Sequence, residues 1–398
     1  MLDYKSALDL VLTDVATVGI ERIAATQAHG RVLREPLLAT APVPRFNTSA
    51  MDGYALRAAD GVLGKAIPVI GEARAGMEPS ELSRGAAMRI FTGAPLPLGA
   101  DTVVMQEHVK REAGTVVLGS APISGDNVRR QGEDFEQGAQ VLPVGSRVGP
   151  GTLMLAASLD QSELVVSQRP RVTILCAGDE LRTAGISGRL GTIPESNSPG
   201  LRCLAELAGA HVTVAPVAPD HPDILIEAVE QSLSQSDLLL TVGGVSVGDY
   251  DLVRTALESK GVSLGFWKVA IKPGKPLAFG RLGQRRVLAL PGNPASALVT
   301  FALFGAPLLR KMQSDLKPHP ITAELACAVT VRRNNERLLA SIGTVVTQDG
   351  SNAFLPHPNQ SSGATIALAA SDGLALIAAG NSMCEKGTVV PFLPWSGI

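Results

Sequence analysis

The stretch LLLTVGGVSVGDYD, from Leu238 to Asp251, decides the fold class. Its first five residues are apolar or β-branched, which predicts a buried strand of a parallel sheet, and the glycines that follow allow a sharp turn. In open α/β sheets, a glycine turn between a strand and a helix is where phosphates bind. No lysine follows these glycines as in a P-loop, and Asp249 and Asp251 stand there instead. The stretch therefore predicts an anion site whose two carboxylates need neutralising partners.

The bulk composition indicates a folded protein of several domains. A chain of 398 residues suggests two to four domains, and 45% hydrophobic with 18% charged residues excludes a disordered chain. The net charge of -2 argues against general nucleic-acid binding. The four cysteines form no Cys-x-x-Cys pair, which argues against a zinc or iron–sulfur site and fits a reducing compartment. No signal peptide and no apolar segment of about 18 residues is recognised, so we expect a cytoplasmic protein that contacts no membrane.

The first part of the chain is predicted to be helical, with a β-rich insertion. Apolar spacing predicts a helix over 4–17, and a second helix is predicted for GIERIAATQAHGRVL at 19–33. Proline and glycine break the pattern over about 46–139, where DTVVMQEHVKREAGTVVLG (101–119) predicts two strands joined by a turn. GSRVGPGTLMLAASL (145–159) then returns to a helical pattern.

From Arg171 onward, strands and helices alternate. RVTILCA, HVTVAPV, DLLLTV and RRVLAL predict strands, and the segments after them predict helices, which together require a doubly wound parallel sheet with right-handed crossovers. After about Pro318 the chain returns to short β-like runs, so we expect a small closing β domain.

Polar residues and glycines follow the strand ends, where the ligands of such sheets bind. They include Glu180 after RVTILCA, the glycines after DLLLTV, and the turn PGNP (291–294) after RRVLAL. Lys268, Lys272 and Lys275 lie nearby in sequence and would supply point charges for a polyanion. Each motif has an ordinary alternative, because Asp249 alone is typical of a helix cap and PGNP of a turn that begins a helix. The Asp-Gly of MDGYA is likewise typical of a simple turn. Only their convergence favours a binding site.

Seven motifs along the chain resemble those of the molybdopterin molybdenumtransferase family, which includes bacterial MoeA and the E domain of gephyrin. They are NTSAMDGYALR (47–57), RIFTGAPLPLGADTVVMQE (89–107), NVRRQGEDF (127–135), AGDEL (177–181), GGVSVGDYD (243–251), FWKVAIKPGKPLAFG (266–280) and LPGNPASA (290–297). The resemblance implies an α/β and β multidomain fold. Its parts are an elongated helical domain (1–45 and 140–168), an inserted β-rich domain (46–139), a doubly wound α/β domain of the molybdopterin-binding type (169–317) and a small C-terminal β-barrel (318–398). It also implies a homodimer.

The family cleaves the pyrophosphate bond of adenylylated molybdopterin and releases AMP and molybdenum cofactor, using molybdate and a divalent metal, usually Mg²⁺. The resemblance implies catalytic roles for Asp52, Asp134, Glu180, Asp249, Lys268 and Lys272, with Asp52 and Asp134 contributed by the other subunit. It implies substrate binding by Gly243, Gly244, Ser246, Lys275, Pro291, Asn293, Pro294, Ser296 and Ser362, and Mg²⁺ binding by Asp220 and Asp251. The preceding adenylyltransferase and molybdenum apoenzymes are implied as further partners.

The chain also departs from the family pattern. Ala177 and Val242 lack hydroxyl groups that relatives carry, and Glu195 replaces an aspartate. An arginine used near molybdate falls on Ser341, with Arg337 four residues away as the alternative. These departures leave an alternative function open: a divergent paralogue that binds pterin nucleotide or a partner protein without turnover. An adenylyltransferase acting one step earlier is a further alternative, against which the MDGYA segment and the terminal β domain argue.

Overall fold

The computed structural model describes residues 1–244, 252–317 and 323–397. At its centre is a six-stranded sheet whose four parallel strands are neighbours in space. In spatial order they are His211–Val214, Arg171–Cys176, Leu238–Val242 and Arg285–Leu290, followed by the antiparallel Ala278–Leu282 and Ser263–Phe266. The predicted parallel sheet is therefore confirmed, with an antiparallel edge that the alternation of strands and helices did not predict.

Helices cover both faces of this sheet because successive strand residues point to opposite sides. Leu238 and Leu240 belong to one apolar core, and Leu239 between them belongs to the other. The first core is covered by Tyr4–Leu12, Asn197–Leu207, Pro294–Thr300 and Ala306–Met312, and the second by Pro222–Gln235 and Leu252–Ser259. This two-sided coverage is the doubly wound arrangement that the sequence predicts.

The order of the parallel strands reverses between Arg171–Cys176 and Leu238–Val242. The next strand of this sheet along the chain, His211–Val214, pairs with one edge of Arg171–Cys176. The strand after that, Leu238–Val242, pairs with the opposite edge. Such a switch point leaves a crevice at the carboxyl ends of the two strands, where ligands of open α/β sheets bind.

The first part of the chain contains short β pairs, two helices and a larger inserted sheet. Ile20–Ala24 pairs with Glu163–Ser167, and Leu37–Leu38 pairs with Gln140–Leu142 beside the helix Pro150–Ser158. The inserted sheet has the spatial order Thr102–Met105, Gly53–Leu56, Ala87–Ile90, Ala66–Ala73, Thr115–Leu118 and Val109–Glu112. Thr48–Ser49 and Val128–Arg129 pair beside this sheet.

The last part is a closed five-stranded barrel. Its strands, in order around the barrel, are Leu338–Gln348, Ser351–Pro356, Ala323–Cys327, Val389–Pro394 and Gly373–Ile377, which returns to the first. A short strand of the α/β region, Ile271–Lys272, pairs in parallel with Leu338–Leu339 and fixes the barrel against the central sheet. Shorter elements are the strand pairs Leu181–Arg182 with Ile193–Pro194 and Val331–Arg332 with Met383–Cys384, and the helix Thr365–Ala369.

Three expectations from the sequence are corrected. Residues 19–33 do not form a helix, because Ile20–Ala24 is a strand that pairs with a segment about 140 positions later. Residues 101–119 form three strands, not two. One apolar helix, Pro294–Met312, is 19 residues long and passes the length and composition test for a membrane span. Of its most apolar 18-residue window, 89% is buried inside the protein, which is typical of a core helix.

Candidate functional site

A cavity of about 450 Å³ lies at the switch point of the central sheet. Six of the residues that the sequence nominates contribute to its wall: Glu180, Gly243, Gly244, Pro291, Asn293 and Pro294. The rest of the wall is mostly apolar, with Ala177, Leu181, Ile193, Val242 and several prolines. Such a cavity, mostly apolar with a few polar groups, is typical of a small-molecule binding site.

Two glycines bring the ends of neighbouring strands close together. Gly243 has φ of +86°, and a Cβ placed on it would lie 2.6 Å from the carbonyl oxygen of Ala177. A Cβ on Gly292 would lie 3.5 Å from the Cα of Gly243. A Cβ on Gly243 would clash with the Ala177 backbone, whereas 3.5 Å at Gly292 is an ordinary van der Waals distance, so Gly243 is the position that requires glycine. The Gly243 N–H donates to the carbonyl oxygen of Leu290 at 3.3 Å.

Acidic groups surround the end of the first strand. The carboxylate of Glu180 lies directly against Gly178. A Cβ placed on that glycine would be only 2.4 Å from Glu180 Oε2. Asp220 does not line the cavity but pairs with the neighbouring Asp179. The Asp220 N–H donates to Asp179 Oδ1 at 3.1 Å, and the Asp179 N–H donates to Asp220 Oδ2 at 3.4 Å. This reciprocal pairing holds two exposed carboxylates side by side.

Asn197 is a cavity residue that sequence reasoning missed. It is 6% exposed, and its side-chain amide donates to the carbonyl oxygen of Gly292 at 2.8 Å. This bond fixes the amide orientation, and Oδ1 then has no hydrogen-bond partner among the described residues. Asn197 is the first residue of the helix Asn197–Leu207, and an asparagine at the start of a helix that follows a strand of the sheet was the available signal.

Glu195 acts as the cap of that helix. Its carboxylate accepts the backbone N–H of Asn197 at 2.6 Å and of Ser198 at 2.9 Å. The replacement of aspartate by glutamate at this position therefore preserves a helix start. Burial, together with the nearby Glu195 carboxylate, raises the pKa of the Cys176 thiol, so Cys176 is not a thiolate nucleophile.

The C-terminal part of the chain contacts the wall of this cavity through Ser362, which does not itself line it. The side-chain amide of Asn293 donates to Ser362 Oγ at 3.0 Å, and the N–H of Ala295 donates to the carbonyl oxygen of Ser362 at 2.9 Å. Ser296 is buried in the first turn of the helix Pro294–Thr300 and does not line the cavity. The structure thus brings Ser362 to the predicted turn and places Ser296 behind it.

The three predicted lysines are exposed and do not line the switch-point cavity. Lys268, Lys272 and Lys275 form no ion pair with a described residue. Lys272 borders a second cavity together with Arg337, whereas Pro276, four residues later, borders the first. Ser341 is 1% exposed inside the barrel, with its hydroxyl 3.4 Å from Gln360 Oε1.

Asp52 and Asp134 lie in the inserted region and line neither cavity. Asp52 Oδ1 accepts the backbone N–H and the hydroxyl of Thr92, at 2.8 and 2.9 Å, and these bonds lower the pKa of its carboxyl. Asp134 accepts a hydrogen bond from Arg129 at 2.7 Å. The predicted Ser246, Asp249 and Asp251 lie outside the described residues.

Family models match three successive parts of the chain. They are the MoeA N-terminal region (domains I and II) at residues 2–159, a probable molybdopterin-binding domain at 173–311 and the MoeA C-terminal region (domain IV) at 322–395. The central α/β part of the chain therefore belongs to a class of probable molybdopterin-binding domains.

Whole-chain similarities agree. The chain is 36% identical to a molybdopterin molybdenumtransferase of Synechococcus elongatus, with 98% of both chains covered. It is 40% identical to one of Haemophilus influenzae over 73% of this chain and 72% of that one. The molybdopterin biosynthesis MoeA protein of Pyrococcus horikoshii superposes with a TM-score of 0.85 at 27% identity, covering 99% of this chain and all of that one. The chain belongs to the MoeA family of molybdopterin molybdenumtransferases, enzymes of molybdenum cofactor biosynthesis.

Proposed function

We propose that this protein inserts molybdenum from molybdate into adenylylated molybdopterin and releases AMP. The observation that carries the proposal is the switch-point cavity, whose mostly apolar wall includes the strand-end glycines Gly243, Gly244 and Gly292. Its volume of about 450 Å³ and its apolar lining suit a ring ligand such as a pterin, and its place at the strand ends suits the phosphates. In this scheme Gly243, Gly244, Pro291, Asn293 and Pro294 bind the nucleotide. Ser246 and Asp249, which lie outside the described residues, stay predictions from the sequence.

Charged groups around the cavity would act on the pyrophosphate. Lys268, Lys272 and Lys275 are exposed cations with no described counter-ion, so they are available to balance negative charge as AMP leaves. Glu180 lies at the strand end, where a carboxylate can orient a proton on the reacting oxygens. Ser296 and Ser362 would support the turn that holds the nucleotide, of which Ser362 contacts Asn293 directly.

Mg²⁺ belongs to this proposal, with Asp220 and Asp251 as its protein ligands. Among the described residues no group of three acidic, histidine or cysteine side chains is assembled for a metal. Magnesium commonly uses one or two carboxylates and completes its shell with water and substrate phosphates. The neighbouring carboxylates of Asp179 and Asp220 are consistent with such a magnesium site of one or two protein carboxylates. When bound there, the ion would supply charge stabilisation to the phosphate oxygens.

The test is incubation of the purified protein with adenylylated molybdopterin, molybdate and Mg²⁺, measuring AMP release and active cofactor together. We expect stoichiometric formation of both, and a loss of AMP release when Mg²⁺ is chelated. Ala177 and Val242 line the cavity without the hydroxyls that relatives carry, which favours binding without turnover as the second candidate. Tight nucleotide binding with no AMP release would establish that second candidate.

The wider assignments also remain proposals. They are the four-part division of the chain at 1–45 with 140–168, 46–139, 169–317 and 318–398, the homodimer, and a cytoplasmic location. The preceding adenylyltransferase and the molybdenum apoenzymes are the proposed partners, because one supplies the nucleotide and the others receive the product.

A further inference from the structure

Arg89 lies in the strand Ala87–Ile90 of the inserted sheet, directly opposite Tyr54 of the neighbouring strand. Its guanidinium lies over two aromatic rings, with Cζ 5.2 Å from the ring centroid of Tyr54 and 4.8 Å from that of Phe91. A cation is attracted to the face of an aromatic ring, and two such contacts restrict the position of one guanidinium. Arg89 is therefore held in one place before it meets any polar partner.

The same guanidinium binds the backbone around Asp52. Arg89 Nη1 donates to the carbonyl oxygen of Gly53 at 2.9 Å, and Nη2 donates to Gln106 Oε1 at 2.7 Å. The N–H of Gln106 in turn donates to the carbonyl oxygen of Asp52 at 3.1 Å. Arg89 thus connects the residue after Asp52 with the residue that binds the Asp52 carbonyl. The planar fork of a guanidinium can make both bonds at once in a fixed geometry, which a lysine ammonium cannot.

Arg89 forms no ion pair with any residue that the structure describes. Glu72, opposite it on the next strand, pairs with Arg74, and Glu107 accepts a hydrogen bond from the side-chain amide of Gln106. Both of these neighbouring carboxylates are engaged elsewhere, so the charge of Arg89 is available to act on Asp52.

The charge of Arg89 does act on the Asp52 carboxyl. The two hydrogen bonds from Thr92 lower the pKa of Asp52 most, and the positive charge of Arg89 lowers it further. Arg89 therefore influences Asp52 in two ways, through the backbone that it binds and through its field.

We propose that Arg89 is a positioning residue that fixes the Asp52 carboxylate for the reaction. This inference rests on the proposed function, in which Asp52 acts at the catalytic centre. Arg89 borders neither the switch-point cavity nor the cavity beside Lys272, so it acts through Asp52 and not on a substrate in its own chain.

The test compares wild type with Arg89→Gln, which removes charge and fork, and Arg89→Lys, which keeps only the charge. The first readout is the pH titration of the Asp52 carboxyl by NMR, with its resonance assigned by its loss in Asp52→Asn. We expect the midpoint to move to higher pH in Arg89→Gln, because a nearby cation is lost. Arg111→Gln is the matched control, since it removes one charge from the exposed edge strand Val109–Glu112 of the same sheet, and it should leave the midpoint unchanged.

The second readout is steady-state AMP release from adenylylated molybdopterin. We expect Arg89→Gln to lower kcat at least about ten-fold with little change in KM, because a misplaced catalytic group slows the chemical step. Arg89→Lys should have an intermediate kcat, and Arg111→Gln should match wild type. Circular dichroism and the thermal midpoint show which variants are folded.

An unchanged Asp52 titration in folded Arg89→Gln would overturn the inference, as would a wild-type kcat in that variant. If Arg89→Gln does not fold, Arg89→Lys decides, because it has lost the fork: a wild-type kcat there would equally overturn the inference. The two proposals fail separately. A protein that releases no AMP but whose Asp52 titration shifts in Arg89→Gln would refute the proposed function alone. AMP release at the wild-type rate by Arg89→Gln would refute this inference alone.

Discussion

Gly243 controls the floor of the switch-point cavity through its backbone conformation. Its φ of +86° is one that side chains rarely adopt, and an added Cβ would meet the carbonyl of Ala177 at 2.6 Å. We expect Gly243→Ala to cost more than about 1 kcal/mol of stability and to weaken AMP binding, because the turn must move. Urea unfolding and calorimetric titration with AMP measure the two effects.

Gly185→Ala is the control for this substitution. Gly185 has φ of +82°, and a Cβ there would meet nothing within 4 Å. The Gly185→Ala variant therefore has an alanine at a positive φ, as Gly243→Ala does, but its Cβ meets no neighbouring atom. If both variants bind AMP as wild type does, the close approach at Gly243 has no role in the cavity.

The residues that sequence reasoning found and missed differ in how they reach the site. Glu180, Gly243 and Pro291 follow strands, and the topology of parallel sheets brings strand ends to one edge. Asn197 reaches the cavity through the start of a helix, and its role depends on a single hydrogen bond to Gly292. Arg337 reaches Lys272 through the docking of the barrel, which no spacing in the sequence encodes.

Among the elements, the first helix joins the core of the central sheet. Tyr4 begins the helix Tyr4–Leu12 and its ring packs edge-on against Phe304 at 5.4 Å between centroids. Burial of the ring raises the pKa of the Tyr4 hydroxyl to about 12. A raised pKa stabilises the folded state fully below the unfolded value, near 10, and this contribution is lost as the pH rises toward 12.

We therefore expect alkaline destabilisation that depends on Tyr4. Between pH 8 and pH 11, wild type should lose about 1 kcal/mol more stability than Tyr4→Phe, which cannot ionise. Urea unfolding of both proteins across this range gives the comparison, and other alkaline groups cancel in the difference. Parallel stability curves for the two proteins would mean that the Tyr4 ring is solvated.

Element prediction succeeded where local pattern and final environment agree. The helix Pro222–Gln235 and the strand Leu238–Val242 were predicted correctly from apolar periodicity and turn signals. The predicted helix over residues 19–33 is wrong, since Ile20–Ala24 is a strand that pairs with Glu163–Ser167. Pairing over such a separation is a tertiary effect that overrides weak helix propensity.

At the scale of the whole molecule, a buried ion pair joins the first part of the chain to the end of the core helix. Arg147 donates twice to Asp315 Oδ2, at 3.0 and 2.7 Å, and the aspartate side chain is 5% exposed. We expect Asp315→Ala to cost about 2–3 kcal/mol, because a partly buried guanidinium is left without its partner. Glu206→Ala, which breaks an exposed pair with Arg202, should cost about 0.5 kcal/mol or less.

Unfolding and hydrogen exchange together measure this junction. The N–H of Leu316 donates to the carbonyl oxygen of Gly145 at 3.0 Å, and the N–H of Val18 donates to that of Met312 at 2.8 Å. Both amides should exchange faster in Asp315→Ala and remain unchanged in Glu206→Ala. Equal costs for the two substitutions would show that the junction does not depend on the ion pair.

At the level of assembly, the question is whether a single chain contains all the residues of the proposed active site. Asp52 and Asp134 border neither cavity of their own chain, and each is held instead by neighbours in the inserted region, Thr92 and Arg129. Hydrogen bonds from Thr92 keep the pKa of the Asp52 carboxyl low, so it is an anion near neutral pH. An anion fixed at the surface is suited to completing a basic site on a second copy of the chain.

If the chain forms the proposed homodimer, a mixed dimer tests this arrangement directly. Asp52→Ala and Lys272→Ala subunits should each be inactive alone, since every site in either proposed homodimer would lack one group. In an exchanged mixture, one of the two sites of each heterodimer has both groups intact, so heterodimers should recover about half of the wild-type activity per dimer. AMP release is the readout, and labelled subunits show that exchange has occurred. Without recovery in a proven heterodimer, Asp52 and Lys272 would have to serve the same chain's site or no common site. Recovery would show that the cavity at the sheet edge is completed across the dimer.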